Sequence, residues 1–252
     1  MRNERLKNLN KIEFVVTDSC TGSCRHCSQG DHYSCDRIDP LLAADAVRRI
    51  AIEYDIKTVM TFGGEPLLHT DAVYAVMNAA KEADVEKRQV ITNGYFSKSA
   101  DKIREVAERL SECGVNDLLL SVDAFHQETI PLDTVMSFAA EAVRCGIPVR
   151  LSPAYLVSRE DGNLYNVRTR EILESFANTG VGIGEGNVIF PEGNAIKYLG
   201  EYFRDSIPEN PYIEDPCDVK CISFAANGDV LDGNIYRDDI MDIVASYGAS
   251  EH

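Results

Sequence analysis

Six short apolar runs, five of them followed by an amphipathic helical stretch, leave few folds open to this chain. "KIEFVVT", "IKTVMTF", "KRQVIT", "NDLLLSVD", "IPVRLSP" and "VGIGEGNVIF" read as strands. Between them, "PLLAADAVRRIAIEY", "TDAVYAVMNAAKEA", "SADKIREVAERLSECG", "LDTVMSFAAEAVRCG" and "VRTREILESFANTG" read as helices. Pro40 suits a first helical turn, Leu42, Ala46, Val47 and Ile50 share one face, and Gly114 and Gly146 stand where helices stop. The strands are continuous apolar runs rather than alternating ones, as expected when both faces of a sheet are covered. Short connections through helices imply parallel strands. The predicted fold class is therefore α/β. A closed barrel of this kind needs eight units, and six fit, so residues 1–190 are expected to form a partial (β/α)6 barrel. Residues 191–252 change character. A stretch rich in Pro, Gly and acids leads to Asn227-Gly228, a strong hairpin signal, and to a last helix in "YRDDIMDIVASYG". A small C-terminal α+β appendage is expected there.

The chain has 252 residues, 44% of them hydrophobic, and a formal net charge of −16. That charge argues against nucleic acid or an anionic membrane surface as a partner. No apolar run approaches the roughly 20 residues that span a bilayer. The N-terminus lacks the apolar core of a signal peptide. The eight cysteines are accordingly expected as reduced thiols in the cytoplasm, where clustered cysteines are more often metal ligands than disulfides.

The residues able to do chemistry collect just after the predicted strands. Cys20, Cys24 and Cys27 follow the first, Gly63, Gly64, Glu65 and Pro66 the second, Asn93 the third, Ser121 and Asp123 the fourth, while Arg150 and Ser152 close the fifth. In a β/α barrel these ends share one face, where active sites are built. Three thiolates on one loop suit an iron–sulfur cluster with one iron left open to another ligand. They also suit a closed zinc site completed by His26 or His32.

"CTGSCRHC" followed by "GGEP" after the next strand resembles the paired signatures of the radical S-adenosylmethionine (SAM) superfamily, over residues 12 to about 190. The resemblance implies a [4Fe–4S] cluster on Cys20, Cys24 and Cys27, with S-adenosyl-L-methionine as the ligand of the fourth iron. It implies reductive cleavage of SAM to a 5′-deoxyadenosyl radical that abstracts hydrogen from a substrate, with a flavodoxin or ferredoxin as electron donor. Gly63 and Gly64 would let backbone approach the methionine end of SAM, and Pro66 belongs to the same motif. Glu65 would pair with its ammonium, or act as a helix N-terminal acid. His26 would lie near the adenine, or face solvent. Ser121 and Asp123 would meet the ribose, with a loop-capping turn as the alternative for Asp123. Arg150 would point to the SAM carboxylate, because an Arg in an apolar strand otherwise needs a buried partner. Asn93 and Ser152 complete the expected SAM contacts. His126 would touch SAM or substrate, or be a surface histidine.

"CDVKCISFAANGDVLDGN" resembles the start of the SPASM or twitch extension of peptide-modifying radical SAM enzymes, but no cysteine follows Cys221. Too few ligands remain for a second cluster. Cys217 and Cys221 are left as ordinary thiols, as partial cluster ligands, or as donors of a hydrogen atom to a substrate radical. The expected activity is modification of a peptide, with a small molecule as the alternative substrate. Because the barrel begins by about residue 12, a separate protein is expected to deliver a peptide.

Overall fold

The computed structural model describes residues 2–30, 34–203 and 207–248; His32 lies outside them. The strands are β1 (Lys11–Val15), β2 (Thr58–Phe62), β3 (Lys87–Thr92), β4 (Asp117–Leu120), β5 (Val149–Leu151), β6 (Ala154–Tyr155), β7 (Gly182–Ile183), β8 (Asn187–Val188), β9 (Cys221–Phe224), β10 (Asp229–Val230) and β11 (Gly233–Asn234). The helices are α1 (Pro40–Glu53), α2 (Thr70–Glu82), α3 (Ala100–Glu112), α4 (Leu132–Arg144), α5 (Leu164–Glu174), α6 (Asn194–Leu199) and α7 (Ile240–Ser246). Nine strands form one sheet in the order β11-β10-β9-β1-β2-β3-β4-β5-β7. Every neighbouring pair from β9 to β7 is parallel. The sheet has two free edges, so the barrel is partial, as its six-unit sequence pattern implies.

Two details differ from the sequence expectation. The sixth apolar run splits: β7 joins the sheet, and β8 leaves it to pair with β6. Gly184 and Gly186 make this possible by bringing the chain against the Leu151 and Pro153 carbonyls, where a Cβ has no room. The C-terminal segment, expected as an appendage, is built into the barrel sheet. β9 lies parallel to β1, with Ile12 opposite Ile222, and Phe14 stacks on Phe224 at 4.6 Å. The Asn227-Gly228 turn closes the β9–β10 hairpin, with Gly228 at φ +86°, a conformation glycine adopts freely.

The two faces of the sheet carry different chemistry. Ile12, Phe14, Val59, Val90, Leu118 and Leu120 are fully buried beneath Val47, Ile50, Val73, Val76, Val106, Leu110, Val135 and Phe138 of the helices. Each large side chain buried this way contributes about 1.5–3 kcal/mol. The register sets Glu13, Met60, Gln89 and Asp117 in a row on the opposite, luminal face. Lys11 pairs with Glu13 at 2.7 Å, while Asp117 gathers Arg150 at 2.7 Å, Lys87 at 3.1 Å and Gln89 at 2.6 Å. Burial alone would raise the Asp117 carboxyl, but these donors hold it below the ordinary carboxylate range. Among the described residues no helix is long and apolar enough to cross a membrane.

Candidate active site

The loop after β1 is zipped onto the rim after β2. Val16 donates to the Phe62 carbonyl, Gly64 to Thr17 and Glu65 to Ser19, each at 2.8 Å. This ladder explains the two glycines. A Cβ at Gly63 would stand 2.6 Å from the Thr17 carbonyl oxygen, and Gly63 sits at φ +135°. A Cβ at Gly64 would fall inside the Ser19 carbonyl group. The glycines therefore set how closely the cysteine loop approaches the sheet.

Within that loop the three thiols lie near enough that Cys20 disfavours ionisation of Cys24, and Cys27 that of both Cys20 and Cys24. Burial pushes Cys20 up to about 11 and Cys24 further still. The Cys20 sulfur accepts hydrogen bonds from Gly22 N at 3.4 Å and Asn93 Nδ2 at 3.6 Å. Such N–H donors stabilise a ligating thiolate and tune a cluster. The soft, all-thiol donor set fits an iron–sulfur cluster, and only a metal would overcome these raised pKa values and deprotonate the thiols.

The surrounding residues lock the loop from three sides. Asn194 donates to the Cys27 carbonyl at 2.9 Å through its backbone and to the Cys24 carbonyl at 3.3 Å through its side chain. Ser23 N donates to the Thr129 hydroxyl at 3.2 Å, and Thr129 also bonds Cys24. Asn93 donates to Thr21 Oγ1 at 3.1 Å. Gly193, just before Asn194, lies so close to the same loop that a Cβ there would collide with the Ser28 carbonyl oxygen and stand 2.6 Å from that of Cys27. Sequence reasoning passed over Thr129, Gly193 and Asn194. The only available signal for the last two is a Gly-Asn pair beyond the expected barrel.

Glu65 is fully buried and ordered by three donors. Its Oε1 accepts from Thr92 Oγ1 at 2.6 Å and Leu67 N at 3.0 Å, and its Oε2 from Asn93 N at 2.8 Å. Burial raises its carboxyl to about 7. It caps the short 3-10 turn Pro66–His69, which Pro66 opens, as the helix-terminus reading requires. Ser121 and Ser152 stand at strand ends, with their backbone N–H groups donating to Thr92 and Leu120.

Two of the residues expected at SAM are anchored by other residues of the chain. Arg150 does have a partner: a two-pronged bond to Asp117, at 2.7–3.0 Å, accounts for an Arg in this strand. Asp123 is fully buried and directs both oxygens inward. Oδ1 accepts from Phe125 N and His126 N at 2.9 Å each, and Oδ2 from Ala154 N at 3.0 Å and His126 Nδ1 at 2.8 Å. That is the loop-capping arrangement, not a carboxylate facing a ribose. Burial would raise Asp123, but His126 holds it well below the ordinary range. Nor is His126 a surface histidine: its side chain is 17% exposed and fixed by Asp123. His26 packs on Phe125 at 4.9 Å and on His126 at 4.7 Å between ring centres, and burial lowers its imidazole to about 4. Cys221 lies on the luminal row, opposite Lys11, and burial pushes its thiol up to about 12. Cys217 and Cys35 are exposed.

A family model described as the radical SAM superfamily matches residues 14–159. A probable GTP 3′,8-cyclase of Saccharolobus islandicus is 27% identical over 216 residues, covering 78% of this chain and 65% of that protein. A GTP 3′,8-cyclase of Clostridium perfringens is 25% identical over 166 residues, covering 62% and 50%. The chain thus spans between half and two thirds of the length of these curated relatives. Among solved structures, Streptococcus suis SuiB bound to S-adenosylmethionine superposes with a TM-score of 0.61 at 12% identity, covering 96% of this chain and 67% of that one. Native anSMEcpe with bound AdoMet and Cp18Cys peptide gives 0.57 at 15% identity, covering 94% and 79%. At these identities the likeness is one of fold.

Proposed function

This chain belongs to the radical SAM superfamily, and from that premise we propose that it modifies a peptide. When bound, the [4Fe–4S] cluster and SAM supply a 5′-deoxyadenosyl radical that takes a hydrogen atom from the substrate. Cys20, Cys24 and Cys27 would hold the cluster. Gly63, Gly64, Asn93, Ser121 and Ser152 would form the rim that holds SAM, with the buried Glu65 ordering it through Thr92, Leu67 and Asn93. The charged luminal wall below that rim receives the substrate.

The observation that carries the peptide reading is the opening in the barrel. The sheet stops at the two-residue strand β7 and at β11. Tyr212, in the segment before β9, packs against Phe190 at 6.1 Å and sits beside Lys11 and Glu13 at the foot of β1. Ile183 on β7, and Ile207 and Ile213 in the same segment as Tyr212, are 58%, 70% and 76% exposed. Exposed apolar side chains near an open sheet edge would suit contact with an extended apolar chain. The luminal cations Lys11, Lys87 and Arg150 are already paired with Glu13 and Asp117, so a triphosphate would have to compete with those carboxylates for them. A nucleotide substrate is the second reading, favoured by the names of the sequence relatives. Incubation of the reconstituted enzyme with SAM, reductant and either GTP or peptides encoded near its gene separates the two. We expect 5′-deoxyadenosine together with a mass or stereochemical change in a peptide, and unaltered GTP. A GTP-derived product with every peptide unchanged would replace the peptide reading.

Of the two tail cysteines, Cys221 suits hydrogen-atom donation. It faces the lumen, bonds Glu13, and keeps its proton. A substrate radical would take that hydrogen, and the thiyl left behind would be restored by one electron and one proton. A flavodoxin or ferredoxin would supply the electron, and a separate protein would deliver the peptide. Cys221→Ala is expected to leave iron content unchanged while abolishing deuterium transfer from heavy water into the product. Unchanged deuterium incorporation removes the role.

A further inference from the structure

We propose that Cys24, His26 and His126 form a mononuclear metal site of the zinc class, overlapping the cluster site and available to the chain before its cluster is assembled. One ligand atom from each of the three lies within 4.8 Å of the others. They come from two separate loops: Cys24 and His26 follow β1, and His126 follows β4. Spacing along the chain therefore does not announce them.

Two independent features point to a ligand. First, His26 Nδ1 is buried and has no hydrogen-bond partner. A buried nitrogen of this kind costs stability unless something satisfies it. Second, His126 is held as metal-ligating histidines are held. Its Nδ1 is engaged by the Asp123 carboxylate at 2.8 Å, which leaves Nε2 as the free ring nitrogen. Asp123 is itself pinned by three backbone N–H groups, so the imidazole is oriented by a rigid element. Carboxylate–histidine–metal relays of this form set the tautomer and raise the basicity of the ligand.

One thiolate with two imidazoles is a borderline-soft set suited to zinc. Ligands at about 2.0–2.3 Å from a tetrahedral ion lie roughly 3.5 Å apart, so ligand atoms now within 4.8 Å of one another need to close by at most about 1.3 Å. Metal held here takes Cys24 away from the cluster. Zinc and cluster assembly are then mutually exclusive, and zinc bound to newly made chains blocks activation.

Anaerobic titration of the full-length, cluster-free chain with Co2+ tests this, because the ion reports tetrahedral thiolate coordination in its absorption spectrum. One cobalt per chain with thiolate-to-cobalt and tetrahedral bands is expected. Cys24→Ala should lose them. His26→Phe and His126→Phe should each weaken binding at least tenfold, and Asp123→Asn should weaken it about 10–100-fold, the usual cost of removing such a supporting carboxylate. Cys20→Ala and Cys27→Ala, which remove cluster ligands, should change cobalt affinity less than threefold. Circular dichroism of each variant identifies any that fail to fold, and the Cys20 and Cys27 variants decide the question even if Asp123→Asn is one of them. Binding that depends on Cys20 and Cys27 as strongly as on Cys24, or that ignores both histidines, overturns the proposal, as does an absence of tetrahedral cobalt bands in the unsubstituted chain.

Discussion

Alanine at Cys20, Cys24 or Cys27 is expected to bring the iron content of the anaerobically reconstituted protein to background and to abolish SAM cleavage. In the proposed assignment each sulfur is one of three protein ligands to a cluster of about four irons, so losing one should leave the cluster too few ligands to assemble. The geometry makes the expectation specific. Cys113 is buried in the hydrophobic core and Cys145 packs against it, while Cys35 and Cys217 are exposed. Alanine at Cys35 or Cys113 should therefore leave iron at about four per chain. Iron and sulfide analysis, with the electron paramagnetic resonance spectrum of the reduced protein, reads both halves. Loss of iron in the Cys35 variant would show that the cluster has a ligand outside the loop and would break the assignment.

Gly64→Ala should be nearly as severe, by an entirely steric route. The added Cβ falls inside the Ser19 carbonyl, which is backbone and is fixed by its hydrogen bond from Glu65 N. Overpacking of this kind typically costs 1–3 kcal/mol, here toward the upper end because no flexible side chain can yield. Relief comes only by unzipping the loop from the rim, which displaces Cys20, the residue next to Ser19. The variant should lose both denaturant resistance and iron loading. Gly146 is the matched control. It has a left-handed φ of +77° but open space around its Cβ position, so Gly146→Ala should cost about 1–2 kcal/mol and keep its iron. Equal iron in both variants would mean that the rim does not position the cluster loop.

Much of this arrangement is legible in the residues because it depends on local chemistry. The strand runs, the helix stops at Gly114 and Gly146, the Asn227-Gly228 hairpin and the two motif loops are each written in a few neighbouring positions. What escapes reading is register across strands. Asp117 opens one strand and Arg150 lies in the next, and only their alignment on the luminal face makes them a pair. His126 has the same difficulty. Its Asp123 partner is three residues away, but its nearness to Cys24 depends on two loops meeting across the barrel mouth. Gly193 and Asn194 belong to a segment whose composition suggests an appendage, yet they buttress the cysteine loop.

The parallel seat of β9 beside β1 has a consequence for the order of events during synthesis. β1 carries the cysteine loop, but one of its flanks is completed only when residues 221–224 have been made and have left the ribosome. Contacts of such sequence separation form late, because a loop of some two hundred residues must close first. Until then the nascent chain presents an unpaired strand edge next to the three thiols of the cysteine loop. Cluster delivery to a finished barrel, rather than to an emerging one, is the arrangement this topology favours.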